Sequence, residues 1–287
     1  DVIRNWNAGF IAFISQKTLF KTRPVVGFIH ALVAWGFTLY LLVNIIDVLY
    51  GFIPNFKFLP NSITGYIYRI FVDTFSILVL LGVFYFLARR FIIQEDRLTI
   101  KDPVLLSDRA KAGMKFDSFI VGAFIIVHIG SRFLSASFEI AIHGTDWSQP
   151  AANMVATLWS TLSPDTLTIA EHVTWWLALG LILLFLPYFP YSKHAHLFMG
   201  PLNIMASEKR RSMAAIETIN FEDEELDQFG AAQIQHLPQT QLLDGYACIQ
   251  CSRCQDACPA YETGKELSPS ALEINKRYFI NDNVSTI

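Results

Sequence analysis

The sequence predicts an all-α protein, a membrane helical bundle joined to a small polar α-helical domain at its C-terminal end. Three observations predict it. The chain is 53% hydrophobic and 14% aromatic with only 16% charged residues, far from the composition of an ordinary soluble domain. Its apolar residues are gathered into four stretches, each of the length that crosses a bilayer as a helix, about 20 residues. All four cysteines fall in one late run, Cys248-Ile-Gln-Cys251-Ser-Arg-Cys254-Gln-Asp-Ala-Cys258-Pro259.

Along the chain, residues 1–24 hold an amphipathic stretch, 6–20, that reads as one helix lying on the membrane surface. The spans follow at 25–51, 63–87, 119–141 and 168–188, within a bundle domain of residues 25–200. Residues 201–240 form a polar linker with the acidic run Glu222, Asp223, Glu224 and Glu225, a solvated face or a guide for a basic partner. Residues 241–287 form the cysteine domain. The chain opens on Asp1 with no visible signal peptide, and the expectation is that it continues upstream. Low-complexity tracts and internal repeats are absent. Four spans without broken helices or inverted repeats offer a transporter no site, and nothing points to nucleic acid.

Orientation follows from lysine and arginine in the short connections. They precede the first span (Arg4, Lys17, Lys21, Arg23), separate the second from the third (seven residues from Arg89 to Lys115) and follow the fourth (Lys193, Lys209, Arg210, Arg211). The first connection offers little beyond Lys57, and residues 133–171 contain no lysine or arginine. Both ends of the chain are therefore expected in the cytoplasm, with the loop from Asp146 to Asp165 outside. The cysteines then lie on the reducing side, where disulfides are rare.

The cysteine run has the C-x2-C-x2-C-x3-C-P spacing that wraps a [4Fe–4S] cluster, the fourth thiolate serving a second cluster. That makes residues 241–287 a ferredoxin-like domain with Cys248, Cys251 and Cys254 on one cube and Cys258 on another. The bland readings are a zinc knuckle or reduced structural thiols. Zinc sites usually pair two C-x2-C units across a longer gap and lack the trailing Cys-Pro. No cysteine follows Cys258 before Ile287, so this domain reads as truncated, with a second cluster if the chain continues. Arg253, between the cysteines, is read as solvent-facing, and Lys265 and Ser268 as shaping the loop and helix after the cluster.

There are seven histidines. His30 enters the first span and His196 follows the fourth, both at the cytoplasmic end. Two histidines at matched depth on different helices are what a bis-histidine b-type haem needs; the alternative is a pair of interfacial histidines. His128 sits in the middle of the third span, where a polar group is costly enough to need a reason. Arg132 shares its helix face, as Asp73 shares that of Arg69, and His172 follows Glu171 early in the fourth span. Three readings stay open. One is a buried charge cluster in which Arg69 and Asp73 pair with each other or with Arg132. Another is a quinone pocket in the outer half of the bundle. The third is a second haem on His128 and His172. His194 is assigned to a haem propionate or lipid headgroup, His143 and His236 to solvent. Trp35, Trp175 and Trp176 fit the core or a haem edge, and Trp147 and Trp159 an interfacial belt.

Pro190-Tyr-Ser-Lys193-x-x-His196, after an apolar helix that carries Trp175-Trp176, resembles the last haem helix of the respiratory nitrate reductase gamma family. The segment Leu242-Leu-Asp-Gly-Tyr-Ala-Cys248, with Cys258-Pro-Ala-Tyr-Glu-Thr-Gly-Lys-Glu-Leu-Ser-Pro269, resembles membrane-bound iron–sulfur proteins related to heterodisulfide reductase. These include the electron-transfer flavoprotein:menaquinone oxidoreductases. The resemblance covers nearly the whole chain and implies a cytochrome b domain followed by a ferredoxin domain, one more upstream helix and further cysteine-rich domains. It implies one haem b on His30 and His196. The positions of the family's other haem pair fall on Tyr40 and Ala178, so that haem is not carried over.

The implied function is electron transfer between a cytoplasmic donor, by resemblance an electron-transfer flavoprotein, and menaquinone in a bacterial or archaeal cytoplasmic membrane. Two alternatives compete. One is a quinol-linked heterodisulfide or thiol-disulfide reductase; the other is a non-catalytic anchor and electron wire of a larger respiratory complex.

Overall fold

The computed structural model describes residues 5–56, 58–59, 61–207, 220–222 and 230–284. The basic residues Arg4, Lys57, Lys209, Arg210 and Arg211 and the acidic residues Asp223, Glu224 and Glu225 lie outside the described residues. The structure is 76% helix without strands among those residues. Four helices are long and apolar enough to cross a membrane.

In chain order the helices are α1 (Trp6–Ser15), α2 (Lys17–Thr22), α3 (Pro24–Phe52), α4 (Ile63–Leu87), α5 (Asp108–His143), α6 (Pro150–Ala156), α7 (Pro164–Phe185), α8 (His196–Ala206), α9 (Gln239–Ala247), α10 (Arg253–Asp256), α11 (Pro259–Glu262) and α12 (Pro269–Asn283). The spans α3, α4, α5 and α7 start where the sequence has start signals. Proline stands in the first turn of α3 and α7, where its missing N–H is one of the helix orphans. Ser62 and Ser163 cap α4 and α7 by accepting from the Gly65 and Thr166 amides. Beyond Leu87, α4 runs on as one π-turn, Ala88–Ile92.

The chain divides into two compact units, one of Gln16–Gln94 and Ser118–Pro190, the other of Asp1–Ser15, Glu95–Asp117 and Tyr191–Ile287. The first holds α3, α4, α6, α7 and most of α5. Its core is Tyr40, Val43, Val79, Val83, Ile125 and Ile129 with neighbouring valines and Phe185. Gly36 of α3 lies against Val79 and Phe75 of α4 so closely that a Cβ there would collide. Small residues let spans approach in lipid, where packing replaces the hydrophobic drive. Leu183 and Leu184 near the end of α7 are 72% and 76% exposed, as a lipid-facing surface requires.

The second unit packs the first turns of α5 on the C-terminal helix. Ala110 and Met114 are buried with Ile274 and Tyr278, and Cys248 packs on the same cluster. Gly9 of α1 meets Met205 and Pro201 of α8, and Asn203 donates to Asp244 at 2.6 Å.

Four expectations need correction. The surface stretch is two helices, because Gln16 adopts φ 46 and ends α1, and its side chain turns to His30. The third span begins at Asp108, not 119, because its polar first turns bury Ala110 and Met114. The connection between α5 and α7 is not a plain loop but carries α6, whose orphan amides find an acceptor in Asp73. The fourth span runs Pro164–Phe185, since Ser163 and Pro164 start it earlier than apolar content alone suggests.

Candidate functional site

The cysteine loop leaves α9 at Cys248 and doubles back before α10. Gln250 and Ser252 both take left-handed backbone, φ 59 and φ 58, and both are 1% exposed. Non-glycine residues hold such conformations only where the surroundings over-determine them, and such strain gathers at functional sites. Alternation of this kind turns successive amides to one side, a concave donor surface for an anion. The Gln250 amide reaches the Cys248 sulfur at 3.4 Å.

The loop is held from behind by buried polar groups. Ser268 caps α12 through the Ala271 amide at 3.2 Å and donates to the Gln255 carboxamide at 2.6 Å, and Gln255 donates to the Thr99 carbonyl at 3.2 Å. Arg277 of α12, 1% exposed, donates to the carbonyls that end α9: Gly245 at 2.9 Å, Tyr246 at 3.3 Å, and Cys248 itself. Arg253 is half-buried rather than solvent-facing.

Cys248, Cys251 and Cys254 lie close enough for their charges to act on one another. No group of three or more histidine, cysteine, aspartate or glutamate side chains converges as ligands of one ion would, among the described residues. A cube takes each thiolate at a different iron, so its ligands need to ring the site rather than meet at a point. The three sulfurs, the sulfur-directed amide and the turned loop fit that group. Burial pushes the Cys248 thiol up to about 11 and raises that of Cys254; a bound metal would draw the proton off a coordinating thiol. Cys258 follows as the residue before Pro259 and caps α11, its amide bonded to the Gln255 carbonyl at 3.0 Å.

The histidines are held by a shared device. His30 Nδ1 donates to Gln16 Oε1 at 2.7 Å, and His196 Nδ1 donates to the Lys193 carbonyl at 2.8 Å. Each bond puts the neutral imidazole's lone pair on Nε2, the arrangement of metal-ligating histidines. His30 and His196 belong to different units. The Pro-Tyr-Ser-Lys run has its own anchors: the Lys193 amide donates to Asp117 at 2.8 Å, and Ser192, fully buried, accepts from the His194 amide at 3.1 Å. His194 is buried, not at a headgroup, and burial together with the Lys193 charge pushes its pKa down to about 4.

The charges of the bundle pair differently from expectation. Arg69 joins Asp146 and Ser148, each at 2.9 Å. Asp73, 3% exposed, accepts from the Ala151 and Ala152 amides at 2.8 and 2.9 Å, so it caps α6 and is bonded to neither arginine. Arg132 pairs with Asp47 of α3 at 2.5 Å. In the sequence Asp47 stands alone in an apolar run and shows no partner until α5 is laid beside α3.

His128, 2% exposed, donates from Nδ1 to the Ala178 carbonyl at 2.9 Å, stacks on Phe124 and meets Tyr40 edge-on. Tyr40 in turn bonds Ser76 at 2.7 Å. His172 is 65% exposed and bonds the Thr168 carbonyl and Glu171, each at 2.9 Å; it shares no hydrogen bond or ring contact with His128. At the end of the same unit where α5 meets the connection to α6, a cleft of about 330 Å³ is lined by Tyr66, Glu139, His143, Asp146 and Trp147, among others.

No known family model matches the chain, and no solved structure matches it. Two curated proteins do. The probable iron-sulfur-binding oxidoreductase FadF of Bacillus subtilis (strain 168) is 33% identical over 286 residues, covering 98% of this chain and 38% of that protein. The EtfAB:quinone oxidoreductase of Syntrophomonas wolfei is 27% identical over 273 residues, covering 93% of this chain and 36% of that protein. The chain thus spans a little over a third of the length of the curated relatives it matches. Both relatives are named oxidoreductases.

Proposed function

We propose that this chain is the membrane-spanning and first cluster-binding part of a quinone-linked oxidoreductase, passing electrons between an electron-transfer flavoprotein on the cytoplasmic side and menaquinone. The observation that carries the reading is the C-x2-C-x2-C-x3-C-P run, on a loop with left-handed backbone at Gln250 and Ser252, in a chain with four membrane-length helices. The reading is supported by the relatives' names, one an iron-sulfur-binding oxidoreductase and the other an EtfAB:quinone oxidoreductase.

Cluster and haem, when bound, each supply one-electron carriers. Within the chain, Cys248, Cys251 and Cys254 hold the first cluster and Cys258 a second. His30 and His196 hold haem b. That pair rests on the sequence and on the Nδ1 bonds that orient each ring. The quinone site is assigned to the half of the bundle that holds Arg132, where Arg132 is the donor next to a buried acid, Asp47, and His128, its Nδ1 proton given to the Ala178 carbonyl, offers Nε2 to a quinol hydroxyl. Arg69 and Asp73 serve the outer loop and α6 instead.

The test begins with iron, sulfide and haem counts on the detergent-purified protein, followed by reduction of a menaquinone analogue by a chemically reduced flavoprotein. One haem per chain lost in H30A and in H196A supports the haem pair. Quinone reduction unaltered in H128L and R132L, with haem intact, overturns this quinone site. Iron without quinone turnover in the wild type would leave an anchor and electron wire.

A further inference from the structure

Arg277 presents a charge without a counter-charge. Its guanidinium is buried, and its acceptors are backbone carbonyls of Gly245, Tyr246 and Cys248. Among the described residues no carboxylate pairs with it, and Nη1 is buried with no hydrogen-bond partner. A buried cation left without an anion is strongly unfavourable. Capping the C-terminal end of α9, where a cation suits the helix dipole, accounts for Nε and Nη2. It does not account for Nη1, a fixed donor with no acceptor.

An anion is due at this place. A thiolate-ligated cube is anionic and gains a further negative charge with each electron it takes, and its potential responds to nearby charge and to hydrogen bonds at its sulfurs. Arg277 bonds the backbone of the first ligand residue, Cys248, and its charge acts on that sulfur. We propose that Arg277 is the internal counter-charge of the first cluster, raising its reduction potential and biasing it to accept electrons from the cytoplasmic donor. The inference rests on the cluster reading above and adds to it a potential-setting residue that touches the ligand loop rather than the reacting atoms.

The test is an EPR-monitored redox titration of the full chain carrying R277K, R277Q or R277M. Lysine keeps the charge and loses the fork; glutamine and methionine lose the charge. R277Q and R277M should shift the reduction equilibrium toward the oxidised form by about tenfold or more, which for a one-electron couple is 59 mV. R277K should stay within about threefold of wild type, roughly 30 mV on the same scale. R277M and R277Q titrating with the wild type overturn the inference while leaving the cluster reading intact. A wild-type chain with no reduced-cluster signal overturns both. If R277M and R277Q retain no iron, R277K decides. Iron at the wild-type potential supports the counter-charge; loss of iron in R277K too assigns Arg277 to folding and overturns it.

Discussion

His128 donates its Nδ1 proton to the carbonyl oxygen of Ala178 at 2.9 Å, tying the middle of α5 to α7. The same ring lies 6.1 Å from that of Tyr40. Tyr40 and Ala178 are the positions where the nitrate reductase-like pattern expects the ligands of an outer haem. In this chain an imidazole from a third helix sits against both, stacked on Phe124, which itself stacks on Phe185 at 4.0 Å.

Removal of that ring should loosen the bundle without removing haem. H128A is expected to cost about 2–4 kcal/mol of stability, from the cavity and the lost bond, with H128F losing less. Thermal unfolding in detergent checks the cost, and a haem assay checks the rest. A haem count that falls in H128F would make His128 a ligand after all.

The Arg132–Asp47 pair should tolerate removal of both charges better than of either. Breaking a buried pair from one side strands a charge and costs about 3–5 kcal/mol, whereas an apolar replacement of both is often neutral. R132L and D47L alone should therefore reduce folded protein in the membrane, and the double variant should recover it. If the pair also serves quinone, the double variant will fold and not turn over.

Asp146 provides a pH test on the connection between α5 and α6. Burial alone would raise its pKa, but hydrogen bonds from the Ser148 hydroxyl and amide and from Gln149, with the Arg69 charge, hold it below the usual carboxylate value. A depressed carboxylate contributes stability that is present above the unfolded pKa and lost as pH falls through the folded one. Unfolding temperature should thus be insensitive to Asp146 from neutral pH down to the ordinary aspartate range and fall only below it. D146N should flatten that acid limb; an identical limb in wild type and variant would refute the assignment.

Among the cysteines, C251S is expected to abolish the first cluster. C258S should keep its iron and EPR signal, since Cys258 is assigned to a second one. Equal iron loss in both variants would mean that all four thiolates bind one cube.

The four spans and the cysteine loop were legible because each is a local pattern. Twenty apolar residues in a row specify a helix in lipid whatever else the chain does, and four cysteines within eleven positions are joined by the backbone itself. Span ends were less legible. Ala110 and Met114 extend α5 only because Ile274 and Tyr278 arrive from far along the chain, and α6 is helical next to Asp73, whose carboxylate takes its first amides.

Charge pairing was not legible, and the reason is geometric. Arg69 and Asp73 share a helix face at i, i+4, which suggests a pair, yet each finds better partners on other segments, Asp146 and Ser148 for the one and the α6 amides for the other. Helix spacing says which residues are neighbours on one rod; only packing says what stands opposite. The sequence alone therefore determined an all-helical chain with four membrane-length spans and a thiolate loop of cluster spacing. The tertiary structure decided that Asp47 answers Arg132, that His128 lies against Tyr40 and Ala178, and that Arg277 stands unpaired behind Cys248, because a buried charge or ring takes its partner from whichever helix packs against it.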